Sequence, residues 1–267
     1  MIHPRPWHMA LVCAGFIPSC VSGPPPVLLP LTNSVQEDTG AAQPSPFIPT
    51  SSYDTREMRG WTVRVSPTFE NEDPDLLIDV LALLDDHLFR ITRVIPQPAL
   101  GLLQDVPIWV DVTTSWTKCM CYHVSKGWLI PNGYNPDKEK SVEIGNARAF
   151  LSWTHQQPWM VLHELAHAYH DLHLGYDNTH VHKAWKAVVA DGVYDDVLRI
   201  RGGRGRHYAL TNDQEYFAET TEAIFGTNDF YPFVKGELLE ADPEGAALVE
   251  QLWRQPLKAP PESRTSE

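Results

Sequence analysis

Apolar residues recur along this chain at two spacings, and the change from one to the other marks its elements. Residues 61–66 alternate between apolar and polar as a half-buried strand does, and residues 106–112 read as a second strand. Between them, Leu76, Leu77, Val80, Leu81, Leu84, Leu88 and Ile91 fall at helical spacing across residues 74–95. Residues 127–131 and 141–145 read as short strands around a polar turn at 132–140. Downstream the pattern becomes helical. Trp159, Leu162, Leu165, Ala166, Tyr169 and Leu172 give one helix its apolar surface, with Pro158 suited to the first turn and Gly175 to the stop. Thr211 followed by Gln214 is a capping-box pattern, from which Tyr216, Phe217, Ala223, Ile224 and Phe225 carry another helix to Gly226. Further helices are expected near residues 182–190 and 244–253, with a Gly/Arg-rich loop at 201–206. Strands ahead of helices, without regular β-α alternation, predict an α+β fold with a small N-terminal sheet and a mainly helical C-terminal part.

The first of these helices carries His163-Glu164-Leu165-Ala166-His167. Positions i and i+4 of a helix differ by about 40° around the axis and about 6 Å along it. Both imidazoles therefore point the same way, close enough to grip one metal ion. Glu164 lies about 60° to one side of His167, where its carboxylate can take a proton from a metal-activated water without ligating the metal. Catalytic zinc usually takes three protein ligands and keeps a fourth position open. His173 completes the spacing of the metzincins, but those need Gly where this chain has His170 and a Met-containing turn downstream. Met1, Met9, Met58, Met120 and Met160 all precede or open the motif. The better source is the helix beginning near Thr211, which places Glu215 and Glu219 one turn apart on one face. One of them could ligate the metal while the other holds a ligand histidine by its free ring N–H. His170, on the face of His163, either lines the cleft, holds a partner of the site, or is packed.

The two segments, His163-Glu164-Leu165-Ala166-His167 and Glu215-Tyr216-Phe217-Ala218-Glu219, resemble the catalytic domain of the anthrax lethal factor family. That family belongs to the gluzincins, whose zinc is held by two histidines and a glutamate. The resemblance covers residues 158–229 and implies a zincin-like fold with one Zn2+ per chain. It implies His163, His167 and Glu215 as ligands, Glu164 as general base and Glu219 beside the ligands. It also implies that the hydroxyl of Tyr208 faces the reacting carbonyl, with His207 the next residue to consider. The expected function is metalloendopeptidase action on a peptide or protein. In zincin-type folds an edge strand ahead of the metal helix holds the peptide, and residues 142–145 are either that strand or an ordinary core strand. A catalytically silent zinc-binding protein, with the metal only joining two helices, is the alternative. Glu164 argues against it, because a structural site needs no base and is closed by a fourth ligand. A di-iron bundle would need a second E-x-x-H, which the chain lacks.

Length and charge narrow the picture a little further. The 267 residues suit one sizeable domain with tails, and a net charge of −13 argues against a nucleic-acid or anionic-membrane surface. No run reaches the roughly 18 apolar residues of a spanning helix. Residues 1–20 resemble an export signal, with Arg5 as a thin positive start, an apolar core at 9–17 and a lipoprotein-like box ending in Cys20, a possible lipid site; the other reading is a non-cleaved tail. An exported, secreted or anchored protein is therefore expected. Residues 21–55, rich in Pro and Ser, read as a tether, 56–257 as the peptidase domain and 258–267 as a tail. Cys119 and Cys121 are too close in sequence for an unstrained mutual disulfide and are expected as packed or free thiols.

Overall fold

Two residues with positive φ, Arg59 at 54° and Gly60 at 93°, turn the first hairpin, the geometry a two-residue loop needs to match the twist of its strands. The strands on either side are β1 (Asp54–Met58) and β2 (Trp61–Val65), paired antiparallel. The structure is a computed structural model and describes residues 47–114 and 117–255, apart from the side chains of Glu70 and Asn71. The expected export signal, Cys20, most of the tether and the C-terminal tail lie outside the described residues. The part of the tether that is described belongs to the fold. Tyr53 is buried, its hydroxyl donates to Asp111 at 2.8 Å, and β1 begins at the next residue.

Parallel strands need a crossover, and helices supply it. After β2 come α1 (Thr68–Glu72), α2 (Pro74–Val94) and α3 (Ala99–Gln104). Asp73 caps α2 by accepting from the Leu76 N–H, with Pro74 in the first turn; Leu76, Val80, Leu84, Leu88 and Ile91 are buried as the periodicity requires. The helix stops before Pro96, which disfavours helical geometry in the residue ahead of it. The chain then enters β3 (Ile108–Val110), parallel to β2, followed by β4 (Met120–Tyr122), α4 (Lys126–Leu129) and β5 (Val142–Ile144). The sheet order is β1-β2-β3-β5-β4, with β5 parallel to β3 and antiparallel to β4. This is a small mixed sheet in a mixed α and β fold.

One strand expectation is corrected here, and one choice left open is decided for the core strand. Residues 127–131 form α4 and a 3-10 turn instead: the Ser125 side chain accepts from the Gly127 N–H and starts a helix, and Pro131 has no N–H to give a ladder. The segment 142–145 is no edge. β5 is hydrogen-bonded on both sides and wholly buried, with Val142 and Ile144 apolar and the Glu143 between them partnered by His123 and Lys138. The edge on that side is β4, whose three residues are too few to show a period.

The rest is largely helical: α5 (Ala147–Trp153), α6 (Met160–Tyr169), α7 (Thr179–Asp191), a small hairpin of β6 (Val197–Leu198) and β7 (Arg204–Gly205), then α8 (Asp213–Phe225), α9 (Lys235–Ala241) and α10 (Pro243–Arg254). Asn212, not Thr211, caps α8, accepting from the Glu215 N–H at 2.7 Å. α6 packs against α8 on one side and against β4, α2 and α3 on others, and all its residues are buried. Its polar side chains must therefore find partners inside the protein.

Candidate metal centre

The central helix carries His163, Glu164 and His167 into the interior, each under 10% exposed. Helical spacing sets the two imidazoles together, with ring centres 4.8 Å apart. Across from them, α8 presents Glu215, held in its first turn by the Asn212 cap. His163 Nε2 lies 3.2 Å and His167 Nε2 3.3 Å from Glu215 Oε2, and the two nitrogens are 3.1 Å apart. A tetrahedral zinc with bonds of about 2.0–2.1 Å sets neighbouring donors about 3.3 Å apart. The triangle fits that spacing on every side. Glu215 Oε1 and His167 Nδ1 are buried with no hydrogen-bond partner among the described residues, so these groups are not arranged to satisfy one another.

Protons and a cation compete for these lone pairs. Burial opposes ionisation of Glu215, yet the adjoining imidazoles outweigh it and hold the carboxyl well below the usual carboxylate range. Burial likewise opposes a charge on His163, but Glu215 and Glu222 overcome it and raise its proton affinity well above that of an ordinary imidazole. The two nitrogens of His163 have different work. Nδ1 donates to Glu222 Oε1 at 2.7 Å, an oxygen that also accepts from Gln157 Nε2 at 3.0 Å, and this leaves Nε2 for the centre.

Glu222 is the correction to the expected role of Glu219. Glu219 is buried on the same face, but its nearest oxygen is 3.7 Å from His163 Nδ1, beyond hydrogen-bond reach. It neighbours Glu222 and Asp229, and burial together with those carboxylates pushes its own pKa well up. Positions 215, 219 and 222 are i, i+4 and i+7, so helical spacing alone could have flagged the third glutamate. Neither Glu219 nor His170 joins the three donors. Glu219 is on the Nδ1 side of His163, and His170 packs against Tyr176 and Phe217, with ring centres 5.0 and 4.9 Å away. Burial lowers the pKa of His170 to about 4, as for a packed neutral ring. His173 is exposed in the π-helical turn that follows α6.

Glu164 flanks the donors. Its Oε2 accepts from the Tyr122 N–H of β4 at 2.9 Å, and burial raises its pKa against the pull of the two histidines and that N–H. Tyr208 is half-buried at the head of the 3-10 turn leading to α8. His207 is buried between Tyr194 and Phe230 and accepts from the Ala209 N–H, with burial lowering its pKa to about 3. Sequence reasoning passed over Tyr176. Its hydroxyl donates to the His167 carbonyl at 3.3 Å; burial raises its pKa first, and the charges of Asp171, Glu215 and Glu164 raise it further.

A second group gathers on the sheet, where Cys121, His123 and Glu143 could also hold a metal ion. Sequence reasoning took up only the cysteine pair; His123 falls on the face of Cys121 at strand spacing, whereas Glu143 comes from β5. His123 Nε2 is 2.6 Å from Glu143 Oε2, and Lys138 Nζ reaches both Glu143 and Asp111, so an ammonium already compensates these carboxylates. Cys119 and Cys121 are buried and form no disulfide among the described residues.

Comparison of the chain with protein families, curated proteins and solved structures returns no match.

Proposed function

We propose that this protein is a zinc-dependent peptidase of gluzincin type, as its resemblance to the anthrax lethal factor family implies. The observation that carries the reading is the convergence of His163 Nε2, His167 Nε2 and Glu215 Oε2 at 3.1–3.3 Å, with the Glu164 carboxylate beside them. Zinc held by these residues would supply a Lewis acid that polarises a scissile carbonyl and acidifies water. The chain's own residues do the rest. Glu164, raised in proton affinity by burial, accepts a proton from the attacking water and delivers it to the leaving amine. Its Oε2 is engaged by the Tyr122 N–H, which assigns the proton to Oε1. Glu222 fixes the ring of His163 and increases its donor strength. Tyr208 is the residue assigned to the developing oxyanion, and Tyr176, whose hydroxyl donates to the His167 carbonyl, is the second candidate. A peptide or protein is the substrate class.

The test joins elemental analysis to cleavage of a peptide library by the wild type and Glu164→Gln. About one zinc per chain in both, with hydrolysis only in the wild type, is the expected result. Undiminished cleavage by pure Glu164→Gln protein would remove the general-base role.

A further inference from the structure

β4 has one paired side and one free side. On the paired side, Gly145 donates to the Cys119 carbonyl at 2.9 Å, and His123 exchanges bonds with Ser141 and Lys140 at 2.9 and 2.7 Å. Alternation along the strand then aims the Tyr122 N–H away from β5 and toward α6, where Glu164 receives it. A three-residue strand paired on a single side is a weak support for a group that must be held still. Tyr122 has a second hold. Its hydroxyl donates to Asp171 Oδ2 at 2.8 Å, and Lys140 Nζ pairs with the same oxygen. Asp171 lies in the π-helical turn His170–Leu174 that directly follows α6. One residue of the edge strand is thus fixed at two points along one helix, by its backbone to Glu164 and by its phenol to Asp171.

We infer that Tyr122 and Asp171 are positioning residues, which clamp β4 onto α6 so that the Tyr122 N–H holds the Glu164 carboxylate in one orientation at the metal centre. The inference rests on the peptidase reading only for its catalytic consequence. Without the clamp, β4 can shift at its free side, the N–H leaves Oε2, and the carboxylate rotates among orientations of which one is productive. Lys140 adds to the clamp from the loop ahead of β5, so three segments meet at a single carboxylate oxygen.

The experiment uses the full chain and two readouts. Amide hydrogen exchange at residue 122 reads the clamp with or without activity, and steady-state kinetics with a cleaved peptide reads its effect. Tyr122→Phe removes only a hydroxyl, and Asp171→Ala removes the acceptor. Each should speed exchange at residue 122 roughly 5–10-fold, the loss of one hydrogen bond, while leaving metal content unchanged. Glu164→Ala should do the same from the other side. In the first two variants kcat should fall by a similar factor with KM unchanged, and Asp171→Asn, which keeps an acceptor, should recover most of it. Unchanged exchange in both Tyr122→Phe and Asp171→Ala would overturn the clamp. Faster exchange with an unaltered kcat would overturn its positioning role. A wild type that cleaves nothing, yet shows the exchange effects, would leave the clamp standing and sink the peptidase reading instead.

Discussion

Three side-chain atoms converge at the candidate metal centre, and the residues around them divide into those that would bind an ion and those that would orient its ligands. Glu215 belongs to the first kind, so Glu215→Ala should strip the metal. Glu222 belongs to the second: it reaches His163 at its far nitrogen, Nδ1, and Glu222→Ala should weaken metal affinity about 10–100-fold. Glu219→Ala should weaken it less, since no hydrogen bond joins Glu219 to either histidine. Competition titration with a chelating dye checks all three, and metal loss from Glu219→Ala but not from Glu222→Ala would reverse the assignment. The tyrosines form a second comparison. Whichever of Tyr208 and Tyr176 serves the oxyanion, its change to Phe should lower kcat roughly 10²–10³-fold with little effect on KM or metal. If neither variant loses kcat, the oxyanion is stabilised elsewhere.

At the scale of elements, the centre depends on how closely α6 and α8 approach. Their ends meet where Trp159, ahead of α6, lies against Gly226, past α8; a Cβ at Gly226 would come within 2.1–2.4 Å of the indole. That contact requires a glycine for space. Gly226→Ala should force the helices apart and destabilise the fold by about 1–3 kcal/mol, the usual cost of overpacking, with a parallel loss of metal affinity. Urea unfolding with and without added zinc measures both effects; an unchanged midpoint would mean that the indole moves aside freely. The stripe of Glu215, Glu219 and Glu222 facing the histidines leads the same way. An ion held between this face and the histidines would add its binding energy to folding, so a chelator should lower the melting temperature of the whole chain.

Over the whole molecule, buried neutral histidines set the response to acid. Burial lowers the pKa of His87 to about 4 and of His207 to about 3. In the unfolded chain both would titrate near about 6.5. Between those values the unfolded state binds the proton and the folded state does not. Stability is therefore intact at neutral pH and is lost progressively as pH falls from about 6.5, toward about 4 for His87 and about 3 for His207, by about 3 and about 5 kcal/mol respectively at full effect. His87 Nε2 has no partner among the described residues, so His87→Leu should keep the packing of α2 and flatten this slope. Thermal melts across pH 4–7 would show it, and an identical slope in the variant would assign acid sensitivity to other groups.

Local periodicity was enough for α2, for α6 with its two histidines and glutamate on neighbouring faces, and for a later helix bearing Glu215. Each of these depends on spacing within a single helix, where 3.6 residues per turn fixes which side chains meet. The cap residue of α8 was missed by one position because Asn212 and Thr211 both suit the role, and only backbone geometry separates them. Tertiary structure decided matters of another kind. Glu222 rather than Glu219 holds His163 because the rotation of α8 about its axis, set by packing against α6 and α10, determines which glutamate reaches a given nitrogen. β4 rather than β5 is the edge because strand order depends on crossovers between distant segments, which three-residue runs do not encode. The joining of Tyr122 to Asp171, and of the Cys121–His123 pair to Glu143, has the same origin. These contacts span strands, turns and helices whose mutual placement follows from burying one core, and no repeat along the chain marks them in advance.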